Sequence, residues 1–450
     1  MLTYRVRPMR LLGGLLALAL AASACTADDP DERAPQGRAG PPNVLIVITD
    51  DQRVDGTLDV MPRTKRWFTD NGTRYDSAYA TTPLCCPSRA SIFSGLYAHN
   101  HDVLKNTEPE LLDQDLTIQR YLHDAGYRTA FYGKYFNAWE VERDPPNFDD
   151  WAISTAGYYG VEFGMPDGVR KVSRYSTTFL ADKALGFLEE AERDDDEPWL
   201  LFVSTSAMHK PFTPERRYRD AEVPGWESNP AVEEQDTSDK PDVGARHITP
   251  AAGLRQRARQ LRTLMSVDDA VDRLTAFLDA SGETEETLAI FVSDNGISWG
   301  EHGLLGKRLP YRESVQIPLL VRWPAGTEHE PVDGSLVANL DIAPTVLEAA
   351  GIEPHHEFDG VPLNGGTERD RLLLEQWGNY SKGLPDWASV LTRRSQYVEY
   401  YGSEGRTVFR ELYDLTDDPW QLNNLVTDAA PPRLERELRA LRRCKGGSCM

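Results

Sequence analysis

Residues 85–95 read Cys-Cys-Pro-Ser-Arg-Ala-Ser-Ile-Phe-Ser-Gly, which sets a thiol, a hydroxyl and a fixed positive charge side by side. Two adjacent cysteines before a proline are, on their own, more often a packed apolar pair or a turn than a reactive group. The extension changes that reading: Pro87 and Ser88 favour helix entry, and Ala90 to Leu96 supports a short helix. A helix N-terminus beside Cys85 would attract an anion, because unpaired backbone N–H groups and the macrodipole both favour negative charge there. Elsewhere Asp50-Asp51 and Asp294-Asn295 each follow an apolar run. Together they offer only oxygen donors, which suits a hard divalent cation such as calcium or magnesium and not zinc. An isolated Asp pair after a strand more often caps a helix or faces solvent, so the metal reading depends on the four occurring with the Cys85 run.

The elements that would position these groups follow a βαβ rhythm. Asn43 to Thr49 is a continuous apolar, β-branched run, as expected of a strand covered on both faces of a parallel sheet, and it ends at Asp50. A helical stretch from Leu116 to Ala125 stops at Gly126 and leads into a second strand, Tyr127 to Tyr132, followed by Gly133 and Lys134. Trp199 to Ser204 gives a third strand, closely followed by His209, and Leu288 to Ser293 a fourth, ending at Asp294. Ligands of open α/β sheets bind outside the carboxyl ends of the strands, and all four runs end on chemically capable residues, so they are expected to converge. Leu254 to Leu278 reads as a long helix, Glu222 to Gly244 as an acidic surface loop, and Leu336 to Ala350 as a strand and helix closing the main domain. Beyond a boundary near Ile352 to Leu363, the stretches 372–377, 388–401 and 411–415 predict a small antiparallel sheet, with a helix near Pro432 to Arg443. The fold class is therefore α/β, a large mostly parallel sheet flanked by helices with a smaller C-terminal antiparallel-sheet-plus-helix domain; the expected divisions are 43–355 and 356–450.

At 450 residues the chain is long enough for both domains. Its net charge of −22 argues against a nucleic-acid binder and offers no broad attraction to polyanions, so an anionic substrate needs local basic groups and a metal. Arg5, Arg7 and Arg10, the apolar stretch Leu11 to Ala22 and small residues up to Cys25 read as an export signal over 1–25, too short to span a bilayer comfortably. Ala22-Ser23-Ala24-Cys25 resembles a bacterial lipoprotein cleavage box, with alanine where leucine is usual. Lipid anchoring at Cys25, on the outer face of the bacterial cell membrane, and free secretion are equally compatible with it. Residues 26–42 then serve as a flexible tether. In an exported protein Cys444 and Cys449 are expected to form a disulfide, and Cys86 to be a small packed residue.

The Cys85 to Arg89 run resembles the C-x-P-S-R signature of the type I, formylglycine-dependent sulfatases, and the likeness covers most of residues 40–350. It implies an alkaline-phosphatase-like fold and hydrolysis of sulfate monoesters. A maturation enzyme would oxidise Cys85 to an aldehyde, formylglycine, whose hydrate is the nucleophile. Arg89 would hold the hydrate, while Lys134 and Lys307 would contact sulfate oxygens, Arg308 taking the role of Lys307 if the register slips by one. His209 would protonate the departing alcohol. Asp50, Asp51, Asp294 and Asn295, with the nucleophile at Cys85, would hold calcium in preference to magnesium. Attack on sulfur would give a covalent sulfate that the second hydroxyl expels as the aldehyde re-forms, whereas serine would be trapped as a stable ester. Many members carry a histidine two residues after the lysine of the Gly-Lys pair; here Phe136 stands there, so that role is missing or passes to Asn137.

The double cysteine, Tyr97-Ala98-His99-Asn100-His101 and Lys134-Tyr135-Phe136-Asn137 resemble most the N-acetylglucosamine-6-sulfatase and heparan endosulfatase branch. That implies a sulfated sugar, such as a glycosaminoglycan fragment, as substrate. His99 and His101 could line its pocket, although packed or surface roles fit them at least as well. Two other readings are a phosphonate or phosphate ester hydrolase of the same superfamily and an inactive, exported, metal-bound carbohydrate-binding relative.

Overall fold

The strand Asn43–Thr49 (β1) is buried along its whole length, so both of its faces need cover. Val44, Ile46 and Ile48 face one layer, with Phe131, Phe202 and Phe93. Leu45 and Val47 face the other, with Leu261, Leu264 and Val271 of the helix Pro250–Ser281. Each aliphatic side chain withdrawn in this way contributes roughly 1.5–3 kcal/mol. The computed structural model describes residues 40–194, 197–243, 248–323, 331–363, 369–378, 383–426 and 431–450. The expected export signal, Cys25 and the tether up to residue 39 lie outside the described residues.

In chain order the next strands are β2 (Thr73–Tyr79), β3 (Arg128–Lys134), β4 (Asp150–Ser154), β5 (Val161–Met165), β6 (Gly168–Val172), β7 (Trp199–Ser204) and β8 (Thr287–Ser293). After a short ribbon of β9 (Ser298–Trp299) and β10 (Leu305–Gly306) come β11 (Leu319–Arg322) and β12 (Val332–Ala338). Ten of these form one sheet in the order β12-β2-β11-β8-β1-β7-β3-β4-β5-β6. Its centre is parallel, β1 lying between β7 and β8 with β3 beyond β7. β11 runs antiparallel to β2 and β8, and β5 and β6 form an antiparallel edge. The four strands expected from the sequence are thus β1, β3, β7 and β8, the innermost of the sheet. Thr49 lies opposite Ser293, while Ile48 and Gly133 both lie opposite Ser204. The carboxyl ends are therefore level, and the residues that follow emerge at one edge.

A second, antiparallel sheet comprises β13 (Leu372–Gln376), β14 (Asp386–Leu391), β15 (Ser395–Tyr401) and β16 (Thr407–Asp414), followed by the helix Pro432–Leu441. The stretch 388–401, read from sequence as one element, is a hairpin. Its turn is made by Thr392, whose N–H donates to the Ser395 carbonyl (2.8 Å) and whose Oγ1 accepts from the Ser395 N–H (2.9 Å). Glu411 on β16 receives the hydroxyls of Tyr311 (2.8 Å), Tyr400 (2.7 Å) and Tyr413 (2.8 Å), which fixes this sheet to the segment just beyond Lys307. The expected disulfide between Cys444 and Cys449 is present. The acidic stretch 222–243 is irregular as expected, yet part of it is interior: Asn229 Nδ2 donates to the buried Glu301 carboxylate (3.0 Å). No helix among the described residues is long and apolar enough to cross a membrane.

Arg369, just before β13, makes two bonds to Asp341 (2.6 and 2.7 Å), and neither side chain is appreciably exposed. Asp341 also accepts the N–H groups of Ala338 (2.7 Å) and Val361 (2.9 Å). Arg369→Met would leave an uncompensated buried carboxylate, with an expected loss of about 3–5 kcal/mol of stability. Urea unfolding of the full chain measures it; a loss below about 1 kcal/mol would show that the pair is dispensable.

Candidate active site

The helix Cys85–Ser94 starts at Cys85 itself, straight from the extended Leu84, and ends at Gly95, whose φ of 68° favours glycine. A Cβ on Gly95 would also lie 2.5 Å from the Phe358 ring. All ten residues of the helix are buried, so its polar side chains need internal partners. Ser88 Oγ donates to the Asp294 carbonyl and accepts from Asn339 Nδ2 (2.8 Å). Arg89 Nε donates to Asp294 Oδ2 (2.9 Å), and Nη1 donates to the Lys134 carbonyl (2.6 Å) and Ser204 Oγ (2.7 Å). Its Nη2 is buried without a partner. One guanidinium thereby ties the helix to the ends of β3, β7 and β8.

At the end of β3, Gly133 has φ of 126°, and a Cβ there would fall 1.7 Å from the Ser204 carbonyl oxygen, so only glycine lets the strand turn here. Lys134 Nζ donates to Asp50 Oδ2 (2.6 Å), both side chains being fully buried. Asp51 takes a left-handed backbone (φ 68°), held by its N–H on Asp294 Oδ1 (3.0 Å) and by Asn295 Nδ2 on its Oδ1 (2.7 Å). Lys307 Nζ donates to Asp51 Oδ1, Cys85 Sγ (2.8 Å) and Asn295 Oδ1 (3.1 Å). Cys85 Sγ lies 3.6 Å from Asp50 Oδ1.

The ligand atoms of Asp50, Asp51, Cys85 and Asp294 all lie within 4.8 Å of one another, and Asp50, Cys85 and His209 form an overlapping group. The three carboxylates suit a hard cation, whereas the Cys85 thiol and the His209 ring are softer donors; the convergence of the Lys307 ammonium on three of the expected ligand atoms shows them already disposed around positive charge. Burial alone would push the Asp51 carboxyl up, but Lys307 and His209 outweigh it and hold it below the ordinary range. Burial likewise opposes ionisation of Asp294, yet Arg89, Lys134 and Lys307 keep it far below that range. The Cys85 thiol is pushed up to about 11 by burial, against the pull of Lys134 and Lys307. Burial works against the Lys134 and Lys307 ammoniums, but Asp50 raises the first and Asp51 the second above the usual lysine range.

His209 sits at the rim, its Nδ1 donating to the Lys210 carbonyl (2.9 Å) and its own carbonyl accepting the Tyr158 hydroxyl (2.6 Å). Lys307 and not Arg308 points into the cluster; the Arg308 carbonyl instead accepts Trp387 Nε1 (2.8 Å). Phe136 is packed in an aromatic group with Phe93, Tyr135 and Trp139. Asn137 engages Cys86, its N–H donating to Cys86 Sγ (3.2 Å), and Cys86 is packed as expected. The two histidines in question are likewise packed: His101 meets Ser91 Oγ (3.2 Å), and His99 bridges Glu375 (2.9 Å) and the Cys444 carbonyl (3.0 Å). Residues with no signal of their own support the site: Ser204 and Asn339 hold Arg89 and Ser88. Beyond the cluster, Arg53 forms a buried pair with Glu301 (2.7 Å). Arg53 alone could have been suspected, since it follows the Asp pair in the same run.

Burial lowers the basicity of His99, but Glu375 outweighs it and raises the folded-state value above 6.5. The contact therefore stabilises fully below the unfolded pKa and is lost as pH rises through the folded one. The stability difference between wild type and His99→Gln should accordingly be larger near pH ~6 than near pH ~9 by denaturant unfolding. Equal differences at the two pH values would contradict it.

Residues 42–352 match the family model described as Sulfatase, and residues 300–444 match the one described as N-sulphoglucosamine sulphohydrolase, C-terminal. The chain belongs to the sulfatase family. Over 363 residues it is 31% identical to the extracellular sulfatase SULF-1 homolog of Drosophila melanogaster, covering 75% of this chain and 32% of that protein. With the N-acetylglucosamine-6-sulfatase of Capra hircus it shares 30% identity over 481 aligned positions, covering 91% of this chain and 84% of the relative. A solved structure described as in complex with its substrate D-glucosamine-2-N,6-O-disulfate superposes with a TM-score of 0.73 at 24% identity, covering 89% of this chain and 97% of that one. The large sheet with its smaller antiparallel companion is thus the alkaline-phosphatase-like fold of sulfatases.

Proposed function

We propose that the protein hydrolyses sulfate monoesters of a sulfated sugar, consuming water and releasing an alcohol and inorganic sulfate. The observation that carries this is the buried cluster in which Cys85, Asp50, Asp51, Asp294, Asn295, Lys134 and Lys307 meet, with His209 at its rim. Residue 85, converted to formylglycine, supplies a geminal diol that can attack sulfur and later collapse to release sulfate. A calcium ion held by Asp50, Asp51, Asp294 and Asn295, together with residue 85, supplies charge neutralisation.

The chain's own groups do the rest. The unpartnered Nη2 of Arg89 is a donor for an oxygen on residue 85. Lys134 and Lys307 bring two ammoniums to the developing charge on the sulfate oxygens. His209 keeps Nδ1–H on a carbonyl, so Nε2 is the nitrogen left to face the departing alcohol, and as the imidazolium the ring delivers the Nε2 proton to it and becomes neutral. In this reading residues 43–355 carry the site and residues 356–450 support it. Export belongs to it as well, from the signal-like residues 1–25, with attachment through Cys25 or free secretion, and from the likeness to an extracellular sulfatase.

Turnover on matched aryl sulfate and aryl phosphonate esters tests the reaction class: sulfate should be preferred, and a preference for phosphonate overturns it. Asn295→Ala or Asp51→Ala should weaken metal binding about tenfold or more, read by elemental analysis after dialysis at limiting calcium. Unchanged metal content would remove both residues from the ligand set.

A further inference from the structure

The loop that carries His209 continues into a second pocket, of about 520 Å³, lined by Arg216, Arg219, Arg259, Arg262, Tyr159 and Thr213 among others. The two places are physically joined. Tyr158 holds the His209 carbonyl (2.6 Å), and the hydroxyl of the adjacent Tyr159 accepts the Arg216 N–H (3.0 Å). Arg259 Nη2 donates to the carbonyl of Pro211, two residues beyond His209 (2.8 Å), and Arg262 Nε donates to the Ala221 carbonyl (2.8 Å). Each of these guanidinium groups uses one donor in that way, and the remaining N–H groups are available to the pocket.

Arginines nearby are neutralised. Arg217 pairs with Glu215 (2.8 Å) and Asp269 (2.7 Å), and Arg273 pairs with Asp182 (2.7 Å). Among the described residues, none of the four pocket arginines forms an ion pair. Four guanidinium groups line one pocket that has no carboxylate among its lining residues, an arrangement an anion would fit. It stands in a protein of net charge −22, where acidic partners are plentiful. Planar guanidinium groups match the paired oxygens of sulfate and carboxylate, and the half-open ring of Tyr159 offers an apolar face on which a sugar can stack. The volume is of the order expected for a small-ligand site.

We propose that this arginine pocket is a second anion subsite, taking a sulfated or carboxylated sugar unit of a chain whose neighbouring unit occupies the active site. The proposal rests on the sulfatase reading and narrows it to an oligosaccharide substrate. The test is calorimetric binding of a fully sulfated heparin tetrasaccharide and of N-acetylglucosamine 6-sulfate to the calcium-loaded full chain. Arg216→Ser/Arg219→Ser removes two exposed side chains and should weaken the tetrasaccharide about tenfold or more while leaving the monosaccharide unchanged. Arg406→Ser/Arg433→Ser, an equal charge change on the small sheet and the C-terminal helix, should leave both unchanged. Equal tetrasaccharide affinity in the first variant, or an equal loss in the second, overturns the subsite. Sulfate release is measured alongside: tetrasaccharide binding that depends on the pocket without release of sulfate from either sugar would retain the subsite as an anion site and sink the sulfatase reading. Release from both sugars without such dependence does the reverse.

Discussion

Cys85→Ala is expected to lower sulfate release from N-acetylglucosamine 6-sulfate by about ten-thousandfold or more, because the nucleophile is lost and the remaining charges can only bind. The fold should survive. Cys85 is a small buried residue, and the charged groups around its Sγ keep other partners: Asp50 retains Lys134, and Lys307 retains Asp51 and Asn295. Thermal unfolding within a few degrees of wild type, together with undetectable sulfate by ion chromatography, is the expected pair of results. Substantial residual turnover in a folded variant would refute the nucleophile assignment. Mass spectrometry of the tryptic peptide ending at Arg89 supplies the companion measurement: loss of sulfur and two hydrogens with gain of one oxygen at residue 85 marks the aldehyde, whereas exchange of sulfur for oxygen alone would mark a serine. An intact thiol in protein from the native host would instead favour the carbohydrate-binding reading.

Lys134→Met is expected to cost about a thousandfold in turnover, since a preorganised ammonium at a buried, water-poor site stabilises developing charge far better than solvent does. It should also destabilise the metal-free protein by about 3–5 kcal/mol, because Asp50 would keep a buried carboxylate without its ion-pair partner. A cation held by Asp50 replaces the missing charge, so the stability deficit should shrink when calcium is added and return with a chelator. This response separates Lys134 from a residue that merely fills space. A deficit independent of calcium would place Asp50 outside the metal site.

The four central strands were legible because each is an apolar run closed by a polar pair or a Gly-Lys step, and periodicity reports burial on both faces directly. Level strand ends then make the convergence of Asp50, Lys134, His209 and Asp294 a topological consequence. The hairpin of β14 and β15 was missed because its turn uses a Thr392 side chain and contains no glycine, proline or asparagine to mark it. The edge strand β6 escaped for a related reason: it is largely exposed and charged, so it lacks an apolar pattern. Ser204 and Asn339 could not be inferred, since a lone serine or asparagine gains its role only from a partner far away in sequence. By type alone His99 and His101 are as compatible with packed or surface roles as with a pocket, and their burial against Glu375, the Cys444 carbonyl and Ser91 assigns them to packing.

The complete burial of the helix Cys85–Ser94 sets an order of events in biogenesis. On the proposed formylglycine reading, a macromolecular catalyst cannot reach a thiol with no exposed surface, so conversion of residue 85 would have to occur while the polypeptide is still extended. Once folded around an unconverted cysteine, a molecule would stay inert. The specific activity of a recombinant preparation should therefore follow the converting capacity of the expression host during synthesis, and later incubation with that catalyst should not restore it.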